Sequence, residues 1–502
     1  LELFANLALG FQTVTSPENL FYCFLGAVIG TLIGVLPGIG PVQTLAILLP
    51  TTFALPPVSA LIMLAGIYYG AQYGGSTTSI LVNLPGEASS VVTCLDGYQM
   101  ARQGRAGAAL AVAAWGSFVA GCFSTLVLAI LAAPLAGLAV SFGPAEYFSL
   151  MVFGLVGSVV LASGSVLKAV GMILLGLLLG MVGTDVTSGI QRFSFHLPEL
   201  ADGIGFVPLA MGLFGISQIL SSLEKEEKRE ILKQKLAGFW LTRQDIRDSL
   251  PAIFRGTICG SLMGILPGGG AILGSFTAYM LEKKSSKEPE SFGKGNIRGV
   301  AAPESANNAA AQTSFVPLLT LGIPSNVVLA MMAGAMMIHG IQPGPRVISS
   351  NPSLFWGVIA SMWVGNLMLL VLNLPLIGIW VRVLSVPYRF LYPAILLFCC
   401  VGIYAVNNNT FDVGLTALLG LLGYVFLRLD CEPAPLILGF VLGPMMEENL
   451  RRAMLISRGD PLVLITRPMS LAFLLLAVGL LVVMALPAIR KGRDRAFKEE
   501  EA

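Results

Sequence analysis

The chain has 502 residues, 55% of them hydrophobic and only 12% charged, with a formal net charge of +2 and a mean hydropathy of +0.81. A soluble domain carries about 25% charged residues, and a soluble core splits into domains before it hides this much apolar surface. Composition therefore excludes an ordinary water-soluble enzyme and a basic nucleic-acid binder, and points to an all-α polytopic membrane protein.

The chain opens Leu1-Glu2-Leu3-Phe4, without the basic region and small-residue cleavage site of a signal peptide, so its first apolar segment is expected to be retained. A membrane-crossing helix takes about 20 mostly apolar residues. Stretches 19–36, 107–133, 145–163, 166–183, 354–381, 391–406, 411–428 and 469–489 meet that requirement. Shorter or interrupted ones lie at 41–55, 57–82, 203–221, 251–266, 271–281, 309–321, 325–340 and 434–446. These are expected to be half-helices, re-entrant hairpins or broken spans, about 10–14 membrane segments in all. Lipid tolerates such open backbone only where protein or a water-filled cavity surrounds it.

Two charged segments divide the chain into a first half, 1–221, a linker, 222–250, a second half, 251–489, and a tail, 490–502. The lysines and arginines of linker and tail place both in the cytoplasm by the positive-inside rule. The stretch 447–467, with Arg451, Arg452, Arg458 and Arg467, is also basic, yet one span separates it from the tail. Its side is left open by the sequence. The seven cysteines, Cys23, Cys94, Cys122, Cys259, Cys399, Cys400 and Cys431, show neither CxxC spacing nor a histidine pattern. They are expected to be small buried hydrophobes.

The strongest signal is an internal repeat. Residues 30–40 read GTLIGVLPGIG and residues 260–270 read GSLMGILPGGG, identical at seven of eleven positions with an offset of 230. Each is followed by a second break, Asn83-Leu84-Pro85-Gly86-Glu87 in the first half and Gly322-Ile323-Pro324-Ser325-Asn326 in the second. Proline removes a backbone donor and glycine admits positive φ, so a helix can end within the membrane. The freed N–H groups suit an anion and the freed carbonyls a cation. A single such motif is more often a kink or a close-packing device; paired breaks in two halves are what transporter binding sites display. The halves are taken as inverted repeats. An odd number of spans between the two motifs would establish that, and an even number would make them parallel.

Between the breaks lie polar runs, Tyr68 to Ser79 and Pro303 to Ser314. Candidate substrate- and ion-binding residues are Pro37, Gly38, Gly40, Ser76, Thr77, Thr78, Asn83, Pro85 and Gly86 in the first half. Their counterparts in the second are Pro267, Gly268, Gly270, Pro303, Glu304, Ser305, Asn307, Asn308, Gly322 and Pro324. Glu304, Asn307 and Asn308 also admit a reading as exposed loop and helix cap, and Glu87 and Asp96 as ion ligands, gate residues or interfacial caps.

These motifs resemble the large permease subunit of tripartite tricarboxylate transporters. The likeness runs through Gly-x-Leu-x-Gly-x-Leu-Pro-Gly-x-Gly, the Tyr69 to Ser76 run into Asn83-Leu84-Pro85-Gly86-Glu87, then Pro303-Glu304-Ser305-Ala306-Asn307-Asn308 and Gln342-Pro343-Gly344-Pro345. It implies a secondary transporter of the bacterial inner membrane, working with a small transmembrane subunit and a periplasmic solute-binding protein. It further implies uptake of citrate-like tricarboxylates or related organic acids by cation symport, with Na+ (or H+) as coupling ion near the same breaks. An elevator-type movement is a fold-level analogy only. The residues themselves agree with cation coupling, because few lysines or arginines lie in the repeated motifs to neutralise a multivalent anion.

Rival classes fare worse. His196 and His339 stand in no metalloprotease or other catalytic spacing, and neither a nucleophile elbow nor a GxxxxGKS/T loop is present. An enzyme and an ATP-driven pump are thereby disfavoured. A passive anion channel, or an ion-coupled permease without a binding protein, is harder to separate.

Overall fold

The computed structural model describes residues 2–36, 40–161, 165–185, 188–224, 241–266, 270–383, 396–397, 400–401, 403–404 and 408–485. The motif tips Pro37, Gly38, Pro267 and Gly268, most of the linker and of the 391–406 span, and the 490–502 tail lie outside the described residues.

Apart from one antiparallel hairpin, β1 (Gly183–Thr184) and β2 (Gln191–Arg192), the regular structure among the described residues is helical. Helix starts are written in the sequence. After α1 (Glu2–Val14), α2 (Pro17–Val35) is capped by the Ser16 hydroxyl, which accepts the Asn19 N–H, with Pro17 in the first turn. α3 (Pro41–Thr52) and α4 (Pro57–Val82) also begin on proline. Then come α5 (Ala106–Val140), α6 (Pro144–Leu161) and α7 (Val166–Gly180). α8 (Phe206–Ala210) runs through a wide π turn, Met211–Ile216, into α9 (Ser217–Glu224).

The second half opens with α10 (Arg243–Ile265), where Thr242 and Asp245 form a reciprocal capping box. It continues through α11 (Gly270–Ser285), α12 (Arg298–Thr313), α13 (Phe315–Leu321) and α14 (Val327–Ile338). α15 (Pro352–Asn373), α16 (Thr410–Arg428), α17 (Ala434–Ile456) and α18 (Pro468–Ala485) complete it.

Three boundaries differ from expectation. Segment 57–82 is one continuous helix of 26 residues, because its glycines and hydroxyls serve packing rather than a break. The end of the expected linker, from Arg243, is already α10. The stretch 309–321 is divided between α12 and α13. The cysteines also depart from a uniform reading: Cys23 and Cys259 are buried, whereas Cys94, Cys122, Cys400 and Cys431 are partly exposed free thiols.

α2, α5, α15 and α16 are each long and apolar enough to cross a membrane. Their outer faces carry exposed Phe21, Phe24, Trp115, Phe123 and Leu421, as a lipid-facing surface requires. α4 and α12 are the opposite. Residues 59–82 and 299–313 are buried throughout, although both helices are rich in hydroxyls and amides.

Glycine stripes hold these central helices. A Cβ on Gly26, Gly30 or Gly34 of α2 would stand 2.3–2.5 Å from the carbonyl oxygens of Met63, Ile67 and Ala71 in α4. A Cβ on Gly256, Gly260 or Gly264 of α10 would stand 2.1–2.4 Å from those of Ala302, Ala306 and Ala310 in α12. In each pair the contacts climb both helices together, so the partners run parallel and backbone meets backbone. α4 and α12 meet antiparallel: Tyr68 lies against Phe315, Ser76 bonds Glu304, and Gly97, beyond the end of α4, packs on Val300.

The 35-residue α5 spans about 50 Å. At its start Arg105 pairs with Asp245 at 2.5 Å; just beyond its end Glu146 pairs with Arg467 at 3.4 Å. The basic 447–467 stretch therefore sits at the end of the bundle opposite the start of α10. Its arginines are largely neutralised there: Arg451 meets Asp185 and Glu447 at 2.8 and 2.7 Å, and Arg452 meets Glu448.

Two expectations follow. In a background without native cysteines, Gln244→Cys and Asp460→Cys are expected to react with a membrane-impermeant maleimide from opposite sides of the membrane. Labelling of both from one side would refute this placement of the ends. Gly260→Val is expected to lower thermal stability in detergent by about 1–3 kcal/mol or more. Gly378→Val, at a position with nothing within 4 Å of an added Cβ, is the control.

Candidate functional site

The two polar runs face each other across α4 and α12, and the breaks open beside them. α4 ends on Asn83 with φ 58° and α13 ends on Gly322 with φ 77°, both left-handed. Four residues after each stop stands an extended capping residue, Glu87 (φ −150°, ψ 164°) and Asn326 (φ −153°, ψ 176°). Glu87 forms a capping box with Ser90, and Asn326 accepts the Leu329 N–H at 3.0 Å. Each cap also reaches across to the other half. Asn307 Nδ2 donates to Glu87 Oε1 at 3.2 Å, and Asn326 Nδ2 donates to the Tyr68 hydroxyl at 3.4 Å.

A cavity of 490 Å³ lies where these features converge. Its wall includes the first residues of α3 (Gly40 to Gln43), α11 (Gly270 to Ile272) and α14 (Val327, Val328), together with Pro85 to Ala88 and Asn326. Tyr68 and Gln72 of α4 complete this side. The opposite wall comes from the π turn and α9, through Leu213, Phe214, Ser217 and Gln218, and from the approach to α17, through Glu432 and Pro433. Among the described residues no lysine or arginine lines it. Three helices of 12, 16 and 12 residues thus start at the cavity, bringing unbonded N–H groups and the positive end of their dipoles.

Carboxylates stand on the same wall and behind it. With its amide nitrogen turned to the acid, Gln72 donates to Glu87 Oε1 at 2.6 Å, and Ser89 donates there too. Glu304 is fully buried mid-helix; Ser76 donates to its Oε2 at 2.5 Å and Thr93 to its Oε1. The arrangement offers both polarities, N–H groups for an anion and carboxylate or carbonyl oxygens for a cation. Among the described residues no three His, Cys, Asp or Glu cluster as ligands of a metal ion.

The expected site residues sort into layers. Gly40, Pro85, Gly86 and Gly270 line the cavity. Ser76, Glu304 and Asn307 form the bonded layer behind it, with Asn308, which donates to Ser117 at 2.7 Å. Glu304, Asn307 and Asn308 are buried within α12, so the exposed-loop alternative is corrected: the helix continues through them. Thr78 braces the end of α2 by donating to the Val35 carbonyl at 2.8 Å. Pro303 lies inside α12, its carbonyl accepting from Ser275 at 3.4 Å, and the Ser305 hydroxyl has no hydrogen-bond partner. Asn83, Gly322 and Pro324 shape the breaks and are not in the cavity wall.

Sequence patterns missed the far wall, Leu213 to Gln218 and Glu432 to Pro433, and also Ser117 and Asn373. The only signals there were an amide in an otherwise apolar helix and a proline at a helix start.

Of the readings open for Asp96 (ion ligand, gate residue or interfacial cap), the structure shows a capping carboxylate. Its Oδ1 accepts the N–H groups of Gly293, Gly295 and Asn296 at 2.8–2.9 Å, and its Oδ2 accepts the Tyr279 hydroxyl at 3.0 Å. A first-half carboxylate thereby caps a second-half loop. Asp96→Ala would leave those donors unpaired and is expected to lower the unfolding free energy by roughly 2–5 kcal/mol. A fluorescence-detected thermal melt at wild-type temperature would contradict it.

Comparison with known proteins places the chain. The model of the Tripartite tricarboxylate transporter TctA family matches residues 20–438. A protein of Agrobacterium vitis described as "Uncharacterized 52.8 kDa protein in TAR-I ttuC' 3'region" is 58% identical over 501 residues, 100% of both chains. A second from that organism, "Uncharacterized protein in TAR-II ttuC' 3'region", is 59% identical over 242 residues, 48% of this chain and 100% of the other. No solved structure matches the chain.

Proposed function

This chain belongs to the tripartite tricarboxylate transporter TctA family, and from that premise we propose how it works. It is a multi-pass membrane protein, the large subunit of such a system rather than an enzyme. In our reading it imports citrate-like tricarboxylates or related organic acids by cation symport, with Na+ as the coupling ion. Its partners are a small transmembrane subunit and a periplasmic solute-binding protein, and it sits in the bacterial inner membrane with linker and tail in the cytoplasm.

One observation carries the reading: three helix starts and two proline breaks converge on one 490 Å³ cavity that, among the described residues, no lysine or arginine lines. Dipoles and free amides can hold carboxylate oxygens, but they do not supply a full positive charge. A multivalent anion desolvated there needs accompanying cations. That is the physical case for symport over a passive anion channel.

We further read the halves as inverted repeats. Gly26, Gly30 and Gly34 recur at an offset of 230 as Gly256, Gly260 and Gly264, and their acceptors Met63, Ile67 and Ala71 at 239 as Ala302, Ala306 and Ala310. At that second offset Asn83 corresponds to Gly322, Glu87 to Asn326 and Tyr68 to Asn307. The cross-contact of Asn307 with Glu87 then has its counterpart in that of Tyr68 with Asn326. The antiparallel course of α4 against α12 supports inversion. We propose elevator-type alternating access, in which the two glycine-locked helix pairs move against the far cavity wall.

The test is uptake of radiolabelled citrate, tartrate and related acids by vesicles holding both membrane subunits, with the binding protein supplied. Accumulation is expected to follow an imposed Na+ gradient, and Asn307→Ala is expected to cut it about tenfold or more at normal membrane insertion. Accumulation that survives collapse of both Na+ and H+ gradients would overturn symport.

A further inference from the structure

A second polar chamber lies behind the main cavity, between α4, α5 and α15. It is lined by Tyr73, Ser76, Thr77, Ser117 and Asn373, each at least nine-tenths buried, with three small or apolar residues of α5. Its volume is 10 Å³, about that of one water-sized sphere. A hydrated ion does not fit.

Two of the orphan atoms near it are amide oxygens. Asn373 Nδ2 donates to the carbonyl of Leu369 at 3.0 Å and to the Thr31 hydroxyl at 3.5 Å, which fixes the amide. Its Oδ1, on the residue that lines the chamber, has no hydrogen-bond partner. One layer away, Asn308 Nδ2 donates to Ser117, and Asn308 Oδ1 is likewise without a partner. Two amide oxygens, acceptors only, therefore stand unsatisfied in a region that lipid surrounds. What they lack is a donor or a positive charge.

Charge decides between the two. Ser76, a chamber residue, donates to Glu304 at 2.5 Å, and Glu304 is fully buried with Thr93 on its other oxygen. Among the described residues Glu304 forms no ion pair with lysine or arginine. Beside a neutral water the amide oxygens are satisfied only with Glu304 protonated, whereas a cation lets the carboxylate stay ionised. A small cation satisfies both.

We propose that this chamber is a site for one dehydrated Na+ ion, coordinated by side-chain oxygens of Ser76, Thr77, Ser117 and Asn373 and balanced by Glu304. The inference deepens the symport reading and rests on the main cavity being the organic-anion site. It places the ion away from the Leu-Pro-Gly tips, behind α4. Glu304, Asn307 and Asn308 lie within two turns of α12, so the ion's neighbours also hold Asn307 against Glu87 in the anion cavity. Ion and anion then share one set of side chains, and each raises the other's affinity by the same factor.

The experiment is equilibrium binding of radioactive Na+ to the purified full chain in detergent, with choline holding the ionic strength constant. Wild type is expected to bind Na+ saturably, and Ser117→Ala and Asn373→Leu to weaken that binding ~10-fold or more. Leu421→Ala, on the exposed apolar face of α16 and outside both cavities, is expected to retain it. Ser117→Ala changes one atom, so it decides the matter even if Asn373→Leu elutes as aggregate. Absence of saturable Na+ binding in wild type, or unchanged binding in a monodisperse Ser117→Ala, overturns the site. If Na+ binds as expected but no organic acid enhances its binding, the cation site stands and the anion reading falls.

Discussion

A helix that ends inside a bilayer strands its last carbonyls and first amides where lipid offers nothing to bond them. Every feature of this chain that bears on transport depends on meeting that constraint. The glycine stripes meet it for α2 and α10 by bringing their backbones onto α4 and α12, with carbonyls where side chains would otherwise be. The breaks after Asn83 and Gly322 are enclosed by the same close packing. At Gly86, for example, a Cβ would stand only 2.0 Å from the Gly34 carbonyl oxygen, so there is no room for one. Tight packing and open backbone are therefore two consequences of one arrangement.

From that arrangement the polarity of the site follows. Helices that start at the cavity present N–H groups, and those that stop beside it present carbonyls. The half-buried Glu87 and the buried Glu304 add carboxyl groups, each held by hydroxyls and amides. An anion and cations can share such a region more readily than either can occupy it alone. Among the described residues, basic side chains form ion pairs at the two ends of the bundle, such as Arg105 with Asp245 and Arg467 with Glu146.

The halves are joined by contacts that cross between them. Asp96 caps the loop before α12, and Glu87 and Asn326 each cap a local turn while touching the opposite half. These side chains bond near their own break and across the interface at once. A shift of one half would therefore be felt at the cavity wall through a few short bonds, whereas α5 and α18, with their apolar outer faces, answer chiefly to lipid.

Membrane residence and the helix breaks after Asn83 and Gly322 were legible in the sequence, because hydropathy and Gly/Pro punctuation are local properties. So were most members of the polar layer, Ser76, Glu304, Asn307 and Asn308, since hydroxyls, amides and acids are conspicuous among apolar neighbours. Which of them line the cavity, and which stand behind it, was a matter of tertiary structure. Only the fold shows Asn83 as the left-handed stop of α4, and only the fold chooses the cap among the readings open for Asp96. The far wall from Leu213 to Gln218 and at Pro433 carried no motif, because a packing surface needs only suitable shape. The side of the 447–467 stretch could not be read from arginine count either. Pairing with Asp185, Glu447, Glu448 and Glu146 brings together residues up to 321 positions apart, and only the folded chain decides such neighbours.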